Sequence, residues 1–533
     1  MNTLTEPSTV PAGEPAVDSA PFFVRGKLVE GTDQVHRSRD LGVDFATPKV
    51  DLNALVHPRT ELPPLLNTPV GEIVDFLVEA GQKLADPNNA HVQATIDRMA
   101  KVSLQPRKSI EYQLQNSIEY LDRQSLWELV EQNFPNPKAL DEWVPHTDHQ
   151  GRRSFIRAYA PRLIHVLPGN APSQGIRSIA QSALVKSVSL FKMASADPFS
   201  TVAFLRTMAE VDPNHPVVRS MSAIYWRGGD DSVERILYRP QYFDKLVAWG
   251  GGDAINNVMK YIGPGFQLVS FDPKTSISMV GREAFADDDT MAKVATLNAF
   301  DVAMGGQEPC VSSRFTFIEA TPEQADRYCE VLAEQIRVDR VGEGTPRPLD
   351  MELKEQIDML RLMDDEYAVF GKSDGRGVAI RSEEPVDFHP LRKTSNVVCV
   401  PDLMEAMKYV NVATQTVGVY PFNRMTQLRD HLASGGAQRV VRLGEAGPAA
   451  IGNPHDAMYP LHRFVHWMAN EDGCVGEESA RSKATSPSPA KALGYLNSQG
   501  LCEERMPRMR SSLVVTSWEA WRDRPEPEPA SRR

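Results

Sequence analysis

Residues 162–192 read RLIHVLPGNAPSQGIRSIAQSALVKSVSLFK. RLIHVL is an apolar run of strand length and PGNAPSQ a loop punctuated by proline and glycine. Ile176, Ile179, Ala180, Ala183 and Leu184 then fall on one helical stripe, and SVSLFKM is a second strand-like run. Strand, loop, helix and strand at this spacing make one βαβ unit. The pattern repeats downstream. A helix in FSTVAFLRTMAEV leads to a strand in SAIYW; past the turn RGGDD come a helix in SVERILY and the strand KLVAW. The turn GGGD, a helix in AINNVMKYI and the strand FQLVSF complete the run. Such alternation predicts right-handed crossovers and a parallel sheet covered on both faces.

Working outward, a second α/β segment begins at about 283. Its helix ADDDTMAKVATLNAFDVA opens on acidic residues, which a helix N-terminus welcomes. GGQEPCVSS lies between that helix and the strand RFTFIEA. Thr321, Pro322 and Gln324 form a helix start in which Thr caps and Gln reaches back. TSNVVCVPDLMEAMKYVN supplies a further strand and helix. Upstream, 60–150 reads as mainly helical. The expected organisation is a disordered 1–21, a helical segment with a dinucleotide-binding domain over 22–282, and a second α/β domain over 283–445. A segment over 446–470 returns to the core, and 471–533 is a mostly disordered tail. Two α/β lobes leave a cleft between them, the usual place for a ligand.

Composition narrows the function classes. The 533 residues carry 58 Lys+Arg against 70 Asp+Glu, a net charge of −12, which argues against a nucleic-acid partner. No apolar run is long enough for a membrane span, and the N-terminus lacks a secretory h-region. Five scattered cysteines without a CxxC pair argue against a disulfide framework and for a cytoplasmic setting. The twelve histidines form no HExxH, so no metal is expected.

Cys310 follows Gly305-Gly306-Gln307 in a helix-to-strand connection, where reactive residues concentrate; alone the signal is weak, and a lone cysteine is more often a small buried hydrophobe. Cys329 and Cys399 sit in apolar patterns and read as core. Pro168-Gly169-Asn170 leaves the carboxyl end of the first parallel strand, the right place for a site and also for an ordinary turn. Gly250-Gly251-Gly252 invites an anion but matches neither GxGxxG nor GxxxxGK[ST]. Lys192, at a strand end, suits a nucleotide ribose or phosphate, or plain solvent. His455 and Asp456 read as an acid/base pair or thiolate-orienting pair, or as a helix cap beside a packed histidine.

Together these pieces resemble the aldehyde dehydrogenase superfamily. PGN stands where that superfamily has Pro-Trp-Asn, and LFKMAS where it has its Lys-Pro-Ser-Glu strand end. AWGGGD stands at its Phe-Thr-Gly-Ser turn and QEPC at its Gly-Gln-x-Cys nucleophile. VLPGNAP, FDPKTSIS, GGQEPC, HPLRKTSNVV and PHDAMYPLHRFVHW narrow the resemblance to the acyl-CoA reductase family of long-chain acyl-protein thioester reductases, the fatty-acid reductase component of bacterial bioluminescence. It covers about 160–470.

The resemblance implies an aldehyde-dehydrogenase-like α/β fold: a parallel-sheet cofactor domain, a second α/β domain that is catalytic, and flexible termini. It implies Cys310 as nucleophile and Asn170 as oxyanion donor. Pro168, Lys192, Ser195 and Gly250, Gly251 and Gly252 are implied at the cofactor. Aligning on Lys274 puts Ser270 where the dehydrogenases keep the glutamate that activates hydrolytic water, which should protect the thioester for reduction. Ser195 replaces the acidic residue that binds the adenosine ribose, favouring NADPH. His389 and Arg392 occupy the nicotinamide-ribose region, though the Glu-x-Phe-Gly-Pro motif is missing; Glu383 or Glu384 is its substitute.

The implied reaction reduces a long-chain fatty acyl thioester to the aldehyde through an acyl-cysteine. The donor is fatty acyl-CoA or an acylated acyl-transfer or synthetase protein, and the chain a homo-oligomer or a subunit of a fatty-acid reductase complex. The alternatives are an NAD(P)-dependent aldehyde dehydrogenase and a non-catalytic acyl-carrying subunit.

Overall fold

A computed structural model of the chain describes residues 18–38, 42–103, 106–169, 171, 174–340, 346–447 and 450–471. The chain divides into two compact units, Met1–Val144 with Ile156–Ala469, and Pro145–Phe155 with Asn470–Arg533. In the second, the chain turns at 148–151, where the Gly151 N–H donates to the Asp148 carbonyl.

The large unit is built on two sheets. The first runs, in spatial order, Gln267–Phe271, Lys245–Trp249, Arg162–Val166, Val188–Lys192, Met221–Ile224, Phe22–Val24, Lys27–Val29. Its first five strands are parallel, and the last two form an antiparallel hairpin at the edge. RLIHV and VSLFK are buried along their whole length, as the continuous apolar runs of a doubly covered parallel sheet must be. From Arg162–Val166 the chain moves outward one way through Val188–Lys192 and Met221–Ile224. It then crosses back to place Lys245–Trp249 on the other side. The order therefore reverses between Arg162–Val166 and Lys245–Trp249, and the segments leaving their carboxyl ends, 167–169 and Gly250–Gly252, flank the switch-point crevice.

The helices Val70–Ala85, Ala90–Ser103, Arg107–Ile118 and Arg123–Asn133 confirm the helical reading upstream. Val70, Ile73, Val74, Leu77, Ala80 and Leu84 keep three- and four-residue spacing and join the core of the first sheet.

The second sheet runs Ala368–Lys372, Gly377–Ser382, Thr394–Cys399, Ser313–Ile318, Thr275–Val280, Thr414–Tyr420, Arg439–Arg442, parallel except at its first strand. Successive residues serve opposite faces: Ile318 and Val397 pack with the helices Asp288–Ala303 and Pro322–Ile336, whereas Phe317 and Val398 pack under Leu403–Tyr409 and Met425–Gly435. Thr321 caps Pro322–Ile336 in a complete capping box with Gln324, as its sequence predicts.

Two expectations need correction. The second sheet starts at Thr275, not at about 283, because this interior strand is written partly in polar residues: TSISMV buries Ser276 and Ser278 by hydrogen-bonding their hydroxyls. The helix expected in LMEAMKY is present as a 3₁₀ helix, Leu403–Tyr409. Order begins before residue 22, since Asp18–Ser19 pairs in parallel with Asp44–Thr47. The tail's Cys474 and Cys502 lie outside the described residues.

Candidate functional site

The helix Asp288–Ala303 ends in the turn Met304–Gln307, where Gly305, Gly306 and Gln307 all take positive φ (56°, 68° and 67°). At Gly305 a Cβ would meet the Pro309 ring at 2.8 Å, so glycine is required there for space as well as for φ. The buried Gln307 side chain holds this turn against the sheet. Its Nε2 donates to the Ser313 and Thr394 carbonyls (3.1 and 2.7 Å), and its Oε1 accepts from the Thr394 N–H (3.1 Å). Arg314 donates to the Gln307 and Pro390 carbonyls (3.0 and 2.8 Å). The next residues carry Cys310, whose carbonyl accepts from the Ser276 hydroxyl at 2.7 Å. Cys310 is partly exposed, and so reachable, whereas Cys329 is buried.

Two residues of later segments face the Cys310 sulfur. Burial pushes the thiol up first and the Asp456 carboxylate adds to it, while Gln415 and the backbone N–H groups of Cys310 and Val311 act the other way. Gln415 Nε2 donates to Asp456 Oδ1 at 3.0 Å, and His455 Nδ1 lies 3.4 Å from the same oxygen. Burial opposes ionisation of Asp456, but His455, Gln415 and Lys274 together hold its carboxyl below the usual range. The His455 ring meets Trp249 and Phe271 edge-on at 5.4 and 5.5 Å, and those two rings stack on each other at 3.5 Å. Trp249 directly precedes Gly250. A continuous set of contacts therefore joins Cys310, through Gln415, Asp456 and His455, to the triple-glycine bend of the first sheet.

His455 and Asp456 are not a helix cap: they lie in a tight turn with Asp456 and Ala457 at φ 48° and 59°. Gln415 gave no sequence signal, because one glutamine in TQTVGVY looks like an interruption of a strand. Ser270 is partly exposed one residue before the stacked Phe271, and Lys274 Nζ donates to the Val412 carbonyl at 3.1 Å. Arg392 pairs with Glu308 at 2.5 Å, and His389 is exposed. Glu383 is exposed, and Glu384 is engaged by Lys408 at 3.3 Å and by Tyr409. Asn170 lies outside the described residues.

At the crevice, Pro168 and Ser195 are partly exposed. Lys192 is not a solvent lysine: it is 9 % exposed, and its ammonium lies 5.9 Å from the ring centres of both Tyr225 and Trp226. Among the described residues its ammonium makes no hydrogen bond. Burial pushes it down to about 8, with Glu234 opposing. The helix Gly252–Met259 begins at the bend, and a Cβ at Gly251 or Gly252 would meet nothing within 4 Å. No group of three His, Cys, Asp or Glu side chains suited to a metal occurs among the described residues.

Two parallel-sheet lobes, one with a switch-point crevice and one presenting a reachable cysteine from a helix-to-strand loop, define the aldehyde-dehydrogenase-like fold. The chain superposes with TM-score 0.65 on aldehyde dehydrogenase 21 from Physcomitrella patens, at 12% identity, over 86% of this chain and 98% of that one. It matches an NADP-dependent glyceraldehyde-3-phosphate dehydrogenase from Bacillus halodurans C-125, solved with NADP, at TM-score 0.62 and 14% identity over 85% and 98%. At these identities the likeness is one of fold. Residues 65–467 match the family model described as acyl-CoA reductase (LuxC), and the chain belongs to that family. Its relatives include the long-chain acyl-protein thioester reductase of Photorhabdus luminescens, 29% identical over 65% of this chain and 70% of the relative. That of Aliivibrio fischeri is 27% identical over 76% and 83%.

The fold family implies a nicotinamide cofactor, and the crevice fits one. A buried amine without a hydrogen bond, open space at two glycines and a helix N-terminus supply cation, clearance and N–H donors.

Proposed function

We propose that this protein reduces a long-chain fatty acyl thioester to the aldehyde with NADPH, through an acyl group held on Cys310. The observation that carries the reading is the reachable Cys310 thiol, flanked by Gln415 and Asp456 and connected through His455 to the glycine bend of the crevice. In the first step Sγ attacks the carbonyl carbon of fatty acyl-CoA or of an acylated partner protein. The donor's sulfur leaves with the proton that Cys310 gives up. The backbone N–H groups of Cys310 and Val311, with Asn170, hold the oxyanion, a contribution of about 3 kcal/mol per donor.

Lys192, Ser195, Pro168 and Gly250–Gly252 would hold NADPH in the crevice, where it would supply the hydride. Ser195 in place of a carboxylate leaves room for a 2′-phosphate beside Lys192. The thiohemiacetal on Cys310 then collapses, the C–S bond breaks, and aldehyde leaves. Ser270 offers no carboxylate to activate water, so the thioester waits for hydride instead of hydrolysing. Asp456 is a poor base for the thiol, because its proton affinity is held down while that of Cys310 is held up. Asp456 instead orients Gln415 at the sulfur and keeps the resting cysteine protonated. His389 and Arg392 line the approach for the nicotinamide ribose. The protein works in the cytoplasm, as a homo-oligomer or within a fatty-acid reductase complex. Among the described residues no helix is long and apolar enough to cross a membrane.

The test is NADPH oxidation across a series of acyl-CoA chain lengths with the product identified. Long-chain aldehyde supports the reading, and free acid formed from aldehyde with NAD(P)⁺ and no CoA contradicts it.

A further inference from the structure

Beside Lys192 lies a buried acid with no part in the chemistry above. Glu234, on the helix Asp231–Leu237, is 1 % exposed. Its carboxylate collects donors from three places. Oε1 accepts from Trp226 Nε1 (3.3 Å), just past the strand Met221–Ile224, and from the Gly229 N–H (3.0 Å) in the following turn. Oε2 accepts from Asn257 Nδ2 (2.7 Å), on the helix that starts at the triple glycine. One side chain thus clamps the turn 227–230 to the helix Gly252–Met259, the two segments that border the crevice beyond Lys192. Trp226 also forms the floor under the Lys192 ammonium, and a Cβ at Gly228 would lie 3.8 Å from Nζ.

An acid this deeply buried is costly unless its charge is used. The cation beside it is Lys192, whose ammonium rests against the Tyr225 and Trp226 rings and makes no hydrogen bond among the described residues. We propose that Glu234 is the positioning residue of the cofactor site: it fixes the 227–230 turn against the glycine-bend helix and supplies the counter-charge that Lys192 faces. This rests on the reading that the crevice takes the adenosine half of a nicotinamide cofactor.

Other charges nearby do not replace it. Arg227 is exposed, Asp230 caps its own helix through the Ser232 N–H, and Asp231 accepts from Tyr261 Oη at 2.6 Å. Tyr238, buried against Glu234, is pushed up by burial and by that carboxylate, and stays neutral. Burial drives the Lys192 proton off, and Glu234 is the group that opposes it. Binding that depends on the ammonium therefore weakens as pH rises through about 8. Without the carboxylate that limb moves to lower pH.

The experiment is NADPH affinity of the full chain, read by nucleotide fluorescence from pH 6.5 to 9.5, for the wild type, Glu234→Gln and Asn257→Ala. Glu234→Gln keeps size and an acceptor oxygen. It should move the alkaline limb down by on the order of one pH unit, a shift that loss of packing alone would not produce. Asn257→Ala should weaken Kd several-fold at every pH. A Glu234→Gln limb that coincides with the wild type overturns the proposal. If that variant does not fold, an unchanged Kd in Asn257→Ala overturns it. A wild type that binds no NADPH contradicts the underlying reading instead.

Discussion

A thiol that is partly buried and faces a carboxylate gives up its proton late, and Cys310 is both partly buried and across from Asp456. The rate of Cys310 alkylation by iodoacetamide should climb only at alkaline pH, above the ordinary cysteine range. Asp456→Asn should move that climb to lower pH by on the order of one unit, and Gln415→Leu should move it the other way. A second consequence concerns Ser270. Restoring a carboxylate by Ser270→Glu should raise release of free fatty acid from the acyl-enzyme by roughly ten-fold or more, measured by chromatography of the released lipid. Cys310, Lys192 and the glycines stand out as candidates in the sequence because motif order and strand-end position single them out. Gln415 does not, since its partner Asp456 lies 41 residues further on, and neither does Glu234, which sits on a helix that reads as an ordinary amphipathic one.

At the scale of elements, the ends of the second sheet's strands are tied down by charge. Glu319, just after Ser313–Ile318, accepts from Arg424 (2.8 Å), from Arg282 Nε (3.0 Å) and from the N–H groups of Leu403 and Arg282 (2.9 and 3.1 Å). Burial opposes its ionisation, but these donors outweigh burial and pull its carboxyl to about 2 from the usual 4.5. A depressed folded-state value stabilises the fold above the unfolded value and ceases to do so as pH falls through the folded one. Glu319→Gln should therefore lose about 3 kcal/mol in urea unfolding at pH 7, a deficit that narrows between pH 4.5 and 2. The helix start at Thr321 offers a smaller test: Thr321→Ala should lose about 1 kcal/mol, because the capping box is complete. The apolar parallel strands of the first sheet were legible from their continuous apolar runs. TSISMV and TQTVGVY were hidden, because Ser276, Ser278 and Gln415 are accommodated by hydrogen bonds that sequence does not display.

Over the whole molecule, the segment after the second sheet closes the design. Leu461, Phe464 and Val465 enter the core of the first sheet, and Lys245 Nζ holds the Arg463 and Val465 carbonyls at 2.6 and 2.9 Å. This return path carries His455 and Asp456 between the lobes, which is why a pair more than 140 residues after Cys310 meets it. The measurement that bears most directly on the account is mass spectrometry of the protein after exposure to a long-chain acyl-CoA, before and after NADPH is added. One acyl group is expected on the peptide containing Cys310, stable in water and discharged as aldehyde on addition of NADPH. An unmodified Cys310 peptide, or full aldehyde turnover by Cys310→Ala, would contradict it.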